Sequence, residues 1–478
     1  MRFDLDSATR RRLGYHLIDQ IDEFFSSLPQ RPVQLPANER TFETLNDALP
    51  ENGDDPDKVL DEVFREMVAK GFHVPSANYF GLMNPTPTYV GVMAELLVAG
   101  LNPQLATMKR SQLASRIEQE TVRWIGERVG WTERFDGTFT TGGNEANFSG
   151  LALALAAKFP QAIEEGVATI GAQPVLYASD EAHHSLDKSS GLLGIGRKAL
   201  RRVAVNNRLQ LDPAALEQVI SSDIGEGKKP FCVVATAGTT NSGAVDDMVA
   251  LAEICKRHGL WMHVDGAYGG TAIFSDIHRR ILRGIELADS ITIDPHKWMA
   301  VPLAAGVILT KHPEMLERAF AVSAPYMPKA TESKRPDNSR ISTQWTRRMN
   351  SLKVWLTLRV HGRKAYEEHI DRQMKLAEGF VAWLKTSEHF ELAAPQVTPI
   401  VVFRLKGSNG GDLASAHAEI VEEVTRDGRR WISETRVNGQ SVLRMMVVSY
   451  LTGESHLGEL QASLNEAVNK ITSLSRRA

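Results

Sequence analysis

The chain has 478 residues, 42% of them hydrophobic and 24% charged, with a formal net charge of −3. This is the composition of a globular protein of two or three domains, and the small net charge excludes a general attraction to nucleic acid or anionic membranes. Two cysteines, Cys232 and Cys255, are too few for a disulfide framework. Because no secretory signal or membrane-spanning apolar run is expected either, we predict a cytoplasmic protein.

The first predicted elements are two amphipathic helices. The second follows a segment rich in Pro, Asn and Asp (49–58) and contains Val59, Val63 and Met67. Two helices are too few to bury their own apolar faces, so we expect them to pack on something else, such as a second subunit. The first helix, over residues 9–28, carries an apolar stripe of Leu13, Leu17, Ile21, Phe25 and Leu28.

From about residue 144 to 310, short apolar runs alternate with helical stretches such as 212–221 and 246–257. This alternation predicts βαβ units and an α/β fold, with a mainly parallel central sheet and helices on both faces. The candidate strands are residues 174–179, 201–205, 231–236, 260–265, 290–294 and 305–310.

The helix and strand pattern in the last part of the chain predicts a smaller α+β domain, with candidate strands at 400–405 and 441–448. Before it, residues 327–342 are polar and charged, as is typical of a mobile functional loop. We therefore expect three parts: an N-terminal helical dimerisation segment, a large domain and a small C-terminal α+β domain. Their predicted bounds are 1–85, 86–362 and 363–478.

Two residues at predicted strand ends favour covalent chemistry on a cofactor. Ligands of a doubly wound sheet bind beyond the carboxyl ends of its strands. Asp265 ends the strand in "WMHVD", and Lys297 follows the next strand in "SITIDPHKW". An aspartate there can simply cap a helix, and a lysine is usually a solvated charge. Together, the pair is typical of a Schiff-base lysine and a carboxylate facing a pyridine nitrogen.

Three other stretches end strands with residues suited to the same ligand. "TTGGNEANFSG" (140–150) offers glycines before a helix start, where free N–H groups bind phosphate, although Gly-Gly-Asn is also an ordinary turn. Thr239 or Thr240 could contact the phosphate or the ring. His183 or His184 could stack on a flat cofactor or transfer protons, the alternative being a structural role. No metal site is expected, because no second ligand pair has zinc spacing.

The motifs resemble those of the group II pyridoxal-phosphate decarboxylases, the family of aromatic amino acid, glutamate, histidine and cysteine-sulfinate decarboxylases. They are "GGNEAN", "EAHHSLDKSSGLLG", "ATAGTTNSGAVDD", "WMHVDGAYGG", "DPHKW" and "RRMNSLKVWLTLR". The resemblance implies the fold type I of pyridoxal-phosphate (PLP) transferases. It also implies decarboxylation of an L-amino acid to an amine and CO2, through an external aldimine and a quinonoid.

The resemblance also implies roles for individual residues. Lys297 binds PLP covalently, Asp265 pairs with the pyridine nitrogen, and His183 stacks on the ring. Tyr326 matches a catalytic tyrosine on a mobile loop that reaches the neighbouring subunit of a homodimer, and Arg444 matches an arginine near the substrate carboxylate. The remaining cofactor-binding positions are Gly143, Asn144, Thr240, Asp294 and His296.

The sequence departs from the family pattern at two places. Asp294 stands where the family commonly has asparagine, which leaves its cofactor role open. Lys109 and Arg110 stand where aromatic-specific members place aromatic rings. They hint at an acidic or small polar substrate, but two exposed basic residues are the simpler interpretation.

Alternatives to decarboxylation remain open on the same scaffold. Oxidative deamination to an aldehyde is one, although Tyr326, rather than phenylalanine, favours protonation of Cα. A lyase acting at Cβ is another, and a catalytically silent assembly protein is a third. Intact Lys297, Asp265 and His183 argue against the last.

Overall fold

The computed structural model of the chain describes residues 4–35, 48–322, 335–407 and 413–475. Contacts divide the chain into two compact units. The larger unit comprises residues 83–403 and 446–448, and the smaller unit comprises 1–82, 404–445 and 449–478. Among the described residues, no helix combines the length and the apolar character needed to cross a bilayer.

The larger unit is built on a seven-stranded sheet with the order β1-β7-β6-β5-β4-β2-β3. The pairs β2–β3, β2–β4, β4–β5 and β5–β6 are parallel, whereas β7 is antiparallel to both β6 and β1. The carboxyl ends of all strands except β7 therefore lie at one edge. The strands are β1 (Asp136–Thr140), β2 (Pro174–Ser179), β3 (Leu200–Val203), β4 (Lys229–Thr236), β5 (Trp261–Asp265), β6 (Ser290–Ile293) and β7 (Gly306–Thr310).

Helices cover both faces of this sheet. Side chains of β4 alternate between two cores: Val233 packs with residues of α9 and α11, and Val234 packs with residues of α5 and α10. Alternation with both faces apolar is what a sheet covered on both sides requires. The helices of this unit are α3 (Tyr89–Leu101), α4 (Gln112–Val129), α5 (Gly143–Lys158), α6 (Gln161–Glu165), α7 (Ser185–Leu192), α8 (Pro213–Gly225), α9 (Met248–His258), α10 (Pro313–Phe320) and α11 (Ser351–Thr386).

Local sequence signals fix several helix ends. Asp212 caps α8 by accepting hydrogen bonds from the N–H groups of Ala214 and Ala215, and Pro213 occupies the first helical position. α9 ends at Gly259, whose φ of 62° favours glycine. Within α11, Gly362 interrupts the helix with φ 74° and ψ 169°.

The smaller unit contains α1 (Ser7–Ser27), α2 (Pro56–Lys70), α12 (Ala414–Thr425), β10 (Ser433–Val437), β11 (Gln440–Met446) and α13 (Glu454–Ser475). β10 and β11 form an antiparallel pair. After α11 the chain also forms two further strands, β8 (Phe390–Leu392) and β9 (Ile400–Leu405).

The predicted α/β class, the mainly parallel sheet and its cover on both faces are confirmed. The six predicted strands of the main sheet are present with ends shifted by at most two residues, and β1, which precedes the stretch 140–150, is a seventh strand for which no bounds were predicted. The three-part division stays a prediction. Its boundary at residue 362 coincides with the interruption of α11 at Gly362.

Candidate active site

A cavity of about 430 Å³, including its open mouth, lies at the carboxyl edge of the main sheet. The loops after β1, β2, β4, β5 and β6 all contribute to it. Its lining comprises Met83, Gly143, Asn144, Asn147, His183, Thr236, Gly238, Thr240, Asp265, Ala267, Tyr268, Asp294 and Lys297. Seven of the predicted site residues are therefore brought together in one place.

Lys297 and Asp294 form an ion pair inside the cavity. Lys297 Nζ lies 3.2 Å from Asp294 Oδ2, and the Asp294 side chain is only 2% exposed. His296 Nε2 lies 3.8 Å from the same oxygen. The other carboxylate oxygen, Asp294 Oδ1, is buried without a hydrogen-bond partner among the described residues. A buried polar atom of this kind indicates a group that a ligand can satisfy.

The start of α5 forms a close-fitting cradle next to this pair. A Cβ atom at Gly143 would lie 2.5 Å from Asp294 Oδ2, so only glycine fits there. Gly142 precedes it with φ 146°, and a Cβ there would lie 3.2 Å from His296 Cε1. The first N–H groups of a helix have no intrahelical acceptor and favour anions. The cradle therefore suits a phosphate group.

Asp265 is held by neutral donors at the end of β5. Its Oδ2 accepts a hydrogen bond of 2.8 Å from Asn147 Nδ2, and its Oδ1 accepts one of 3.2 Å from the N–H of Ala267. The side chain is 5% exposed. A carboxylate fixed in this way keeps lone pairs available for a cationic N–H group in the cavity.

His183 faces the cavity in a defined tautomer. Its Nδ1 accepts a hydrogen bond of 3.1 Å from the N–H of Ser185, so the neutral ring carries its proton on Nε2. Desolvation by the surrounding protein lowers the pKa of His183 from its usual range, although the neighbouring Asp265 carboxylate opposes this shift. The ring is thus a neutral donor at Nε2. The adjacent His184 side chain is 92% exposed and does not line the cavity.

The structure distinguishes the two threonines that the sequence leaves open. Thr239 is buried and stabilises its own turn, where its Oγ1 lies 2.9 Å from Ser242 Oγ and accepts from the N–H of Ala244. Thr240 lines the cavity.

Four described residues of interest do not line this cavity: His296, Arg444, Lys109 and Arg110. Tyr326 lies outside the described residues. Arg444 is on β11 in the smaller unit, where its buried guanidinium donates to the carbonyl oxygen of Gly81. Lys109 and Arg110 are exposed, as the simpler interpretation of the sequence has it.

Sequence reasoning missed two residues next to Asp265. His263 lies two residues earlier on β5. Because side chains of a strand alternate between its faces, the sequence alone could have placed His263 on the same face as Asp265. Asn147 lies one helical turn after Gly143 within "GGNEAN". That its side chain meets Asp265 depends on how α5 packs on the sheet, which no local pattern reveals.

A doubly wound fold that gathers a lysine, an aspartate and a phosphate cradle at one sheet edge defines a PLP-binding enzyme. The family described as "Pyridoxal-dependent decarboxylase conserved domain" matches residues 36–406. The chain belongs to this family, and it is a PLP-dependent carboxy-lyase that acts on an amino acid.

Individual relatives match along nearly the whole chain. The aromatic-L-amino-acid decarboxylase of Bacillus atrophaeus is 30% identical, over 98% of this chain and 97% of the relative. The crystal structure of mouse CSAD is 26% identical with a TM-score of 0.91, covering 97% of this chain and 99% of that one. The 4-hydroxyphenylacetaldehyde synthase of Rhodiola rosea is 26% identical with a TM-score of 0.88, over 98% and 99%.

Proposed function

We propose that Lys297 is the residue that binds PLP covalently and that the reaction releases CO2 and an amine from an L-amino acid. PLP supplies an aldehyde carbon for the amine and a protonated ring that accepts the electron pair freed when the carboxylate leaves. The observation that carries this proposal is that Lys297 Nζ and the Asp265 carboxylate line one cavity from the ends of adjacent parallel strands.

We propose roles for the other residues of the cavity, and for His296 beside it, from their positions. The start of α5, with Gly143 and Asn144, would bind the phosphate. Asp265 would keep the ring nitrogen protonated. His183 would lie against the ring with its Nε2–H available to the substrate. Thr240 would bind the cofactor from the loop after β4, and Asp294 and His296 would border the phosphate.

Replacement of the carboxylate by a proton requires an acid at Cα of the substrate. Tyr326, or His183 in its protonated form, would deliver this proton, a general-acid step typically worth about 10²–10⁴-fold. Arg444 would bind the substrate carboxylate. These last roles rest on the resemblance of the motifs.

The covalent role of Lys297 can be tested by borohydride reduction of the PLP-loaded protein followed by peptide mapping. We expect the label on Lys297 alone, and no label and no CO2 release for Lys297→Ala. Lys311→Ala is a matched control, because Lys311 is also half-buried but donates to the carbonyl oxygen of Leu287 outside the cavity. Label on another lysine of the active wild type would contradict the proposal.

The substrate can be found by measuring CO2 release from the proteinogenic amino acids, dopa, cysteine sulfinate and 2,4-diaminobutyrate. Aromatic amino acids come first, because the relatives include decarboxylases named for them. A solved relative 25% identical is named as an L-2,4-diaminobutyrate decarboxylase, which motivates the last compound.

Oxidative deamination is the second candidate, since two relatives are named as aldehyde synthases. The same assays should include hydrogen peroxide, ammonia and aldehyde. An amine formed in equal amount to CO2, without peroxide, supports decarboxylation. One peroxide and one ammonia for each CO2 would assign the chain to the second reaction.

We also infer a homodimer in the cytoplasm, with residues 1–85 as its dimerisation segment. α2 has no buried residue in the smaller unit, and Val59, Val63 and Met67 are 42%, 50% and 70% exposed. Such an apolar face favours a partner surface. Both described cysteines are free and buried, as is usual in a reducing compartment. An active species with the mass of one chain in sedimentation would contradict the dimer.

A further inference from the structure

A chain of buried hydrogen bonds connects Asp265 to the centre of the sheet. Trp261 Nε1 lies 2.8 Å from Ser290 Oγ, which lies 2.8 Å from His263 Nδ1. His263 Nε2 lies 3.1 Å from Asn147 Oδ1, and Asn147 Nδ2 lies 2.8 Å from Asp265 Oδ2. Each of the five side chains is at most 5% exposed.

The two ends of this chain and the protonation state of His263 together fix the direction of its hydrogen bonds. The indole N–H of Trp261 can only donate, and an ionised Asp265 can only accept. Ser290 therefore accepts from Trp261, and its own O–H can donate to Nδ1 of a neutral His263. His263 then donates from Nε2 to Asn147 Oδ1, and Asn147 donates from Nδ2 to Asp265. Burial lowers the pKa of His263 to about 4, so the ring is neutral, Nε2 carries its single proton and Nδ1 accepts from Ser290.

The fold is built around this histidine. β5 and β6 are paired with His263 opposite Ser290, and His263 shares a strand face with Asp265. On α5, a Cβ atom at Gly150 would lie 2.4 Å from His263 Cε1, so a glycine lets the helix approach the ring. The imidazole therefore has little room to take another orientation.

Two further contacts involve polar groups of this network. The second amide hydrogen of Asn147 is donated to Ser185 Oγ at 2.9 Å, and Thr292 Oγ1 lies 3.4 Å from His263 Nε2. Asn147 thus uses both amide hydrogens and its oxygen. A buried polar network whose members are all paired is rigid, because any rotation leaves a group unsatisfied.

We propose that Asn147 and His263 are positioning residues that fix the Asp265 carboxylate towards the cofactor's ring nitrogen. This inference rests on the proposed role of Asp265. Asn147 supplies the donor that orients Oδ2, and His263 holds the Asn147 amide so that its N–H, not its oxygen, faces the carboxylate. With the amide reversed, an oxygen would face Asp265 and repel it.

The test compares Asn147→Leu and His263→Leu, which remove the hydrogen bonds, with His263→Gln, whose amide can still donate to Asn147 Oδ1. Tyr177→Phe is a matched control, because it also removes one buried hydrogen bond, of 3.1 Å to Asp223, but does not line the cavity. The readouts are the PLP dissociation constant, the pH midpoint of the bound cofactor's absorbance band, and kcat and KM measured separately.

We expect Asn147→Leu to weaken PLP binding at least about tenfold, the effect of losing one hydrogen bond to a charged group. It should also shift the absorbance midpoint and lower kcat more than KM changes. His263→Leu should act in the same direction, and His263→Gln should recover most of the loss. Tyr177→Phe should lose stability without moving the absorbance midpoint.

The inference is overturned if both leucine variants fold and match Tyr177→Phe in every cofactor readout. Should they fail to fold, Asn147→Ala and His263→Ala, which also remove the hydrogen bonds but add no apolar bulk, are measured in their place. The Asp265→Asn variant separates the two proposals. If it leaves the cofactor spectrum unchanged, the proposed role of Asp265 fails; if only it has an effect, the positioning inference fails.

Discussion

Two aspartates at the ends of neighbouring strands, Asp265 after β5 and Asp294 after β6, line the same cavity in opposite ways. The described partners of Asp265 are neutral N–H groups of Asn147 and Ala267. Asp294 instead faces the ammonium group of Lys297 with one oxygen, and its other oxygen has no described partner. No described ion pair compensates the charge of Asp265, whereas Asp294 is paired with the ammonium group of Lys297.

The difference shows that surroundings, not residue type, assign the roles of the two acids. A carboxylate held by neutral donors in a buried site is ready for a cationic partner, which a protonated pyridine nitrogen provides. A carboxylate paired with a lysine beside a phosphate cradle balances charge until a ligand enters. The cavity thus has, on one side, an aspartate whose hydrogen bonds hold it in place and, on the other, an aspartate whose ion pair can change when a ligand enters.

The largest effect is expected from Asp265→Asn. This change keeps the size of the side chain, but it replaces one of the two accepting oxygens with a donor and removes the charge that we propose holds a proton on the ring nitrogen. We expect kcat to fall by roughly 10²–10³-fold, as when a preorganised electrostatic contact is removed. CO2 release at saturating PLP measures this.

Asp246→Asn is the control for Asp265→Asn. Asp246 is another buried aspartate, which accepts from the N–H groups of Leu211 and Thr236, and it does not line the cavity. It should keep kcat close to that of the wild type. Equal losses in the two variants would show that burial of a carboxylate, rather than its place in the cavity, determines the effect.

The next effect concerns the close fit on the Asp294 side. In Gly143→Ala, the new Cβ would lie 2.5 Å from Asp294 Oδ2 and 3.3 Å from Ala267 Cβ. Overpacking of this kind costs about 1–3 kcal/mol, so PLP binding should weaken about tenfold. Adding Asp294→Ala should restore binding, because it removes the clashing oxygen.

Gly379→Ala on α11 is the matched control for Gly143→Ala, since a Cβ there has no atom within 4 Å. It should bind PLP like the wild type. If the double variant at 143 and 294 binds no better than Gly143→Ala, the cradle is not limited by Asp294.

The comparison also marks how far sequence reasoning reaches. Strand periodicity and the rule for sheet edges placed Lys297 and Asp265 together with one of two histidines and one of two threonines, because those positions follow from order along the chain. They could not predict that Asn147 contacts His263 across 116 positions of sequence. Nor could they separate Thr239 from Thr240, since only the turn geometry decides which hydroxyl faces inward.

Lowering the pH should destabilise the fold more through His263, on the Asp265 side of the cavity, than through His296, on the Asp294 side. Burial lowers the pKa of His263 to about 4, below the usual 6.5, so its neutral form stabilises the fold above pH 6.5. This stability is lost as the pH falls towards 4, and the loss has reached about 2 kcal/mol at pH 5. The pKa of His296, beside Asp294, is also lowered by burial, but less.

Urea unfolding at pH 7 and pH 5 measures this difference. We expect His263→Gln to reduce the loss of unfolding free energy between the two values by about 2 kcal/mol. His296→Gln should reduce it less. An identical pH dependence in wild type and His263→Gln would show that His263 is not held neutral in the folded protein.

The smallest effect is expected from Asp294→Asn, and its sign is opposite to that at Asp265. The amide has the size of the carboxylate but no charge to repel the phosphate that we place at the start of α5. Removing a charge a few ångströms from a phosphate at a partly solvated site is worth about 1 kcal/mol. PLP should therefore bind about fivefold more tightly, as measured by quenching of protein fluorescence. Because Asp294 lies 3.2 Å from Lys297 Nζ, weaker binding would instead mean that its charge is needed to hold the lysine in place.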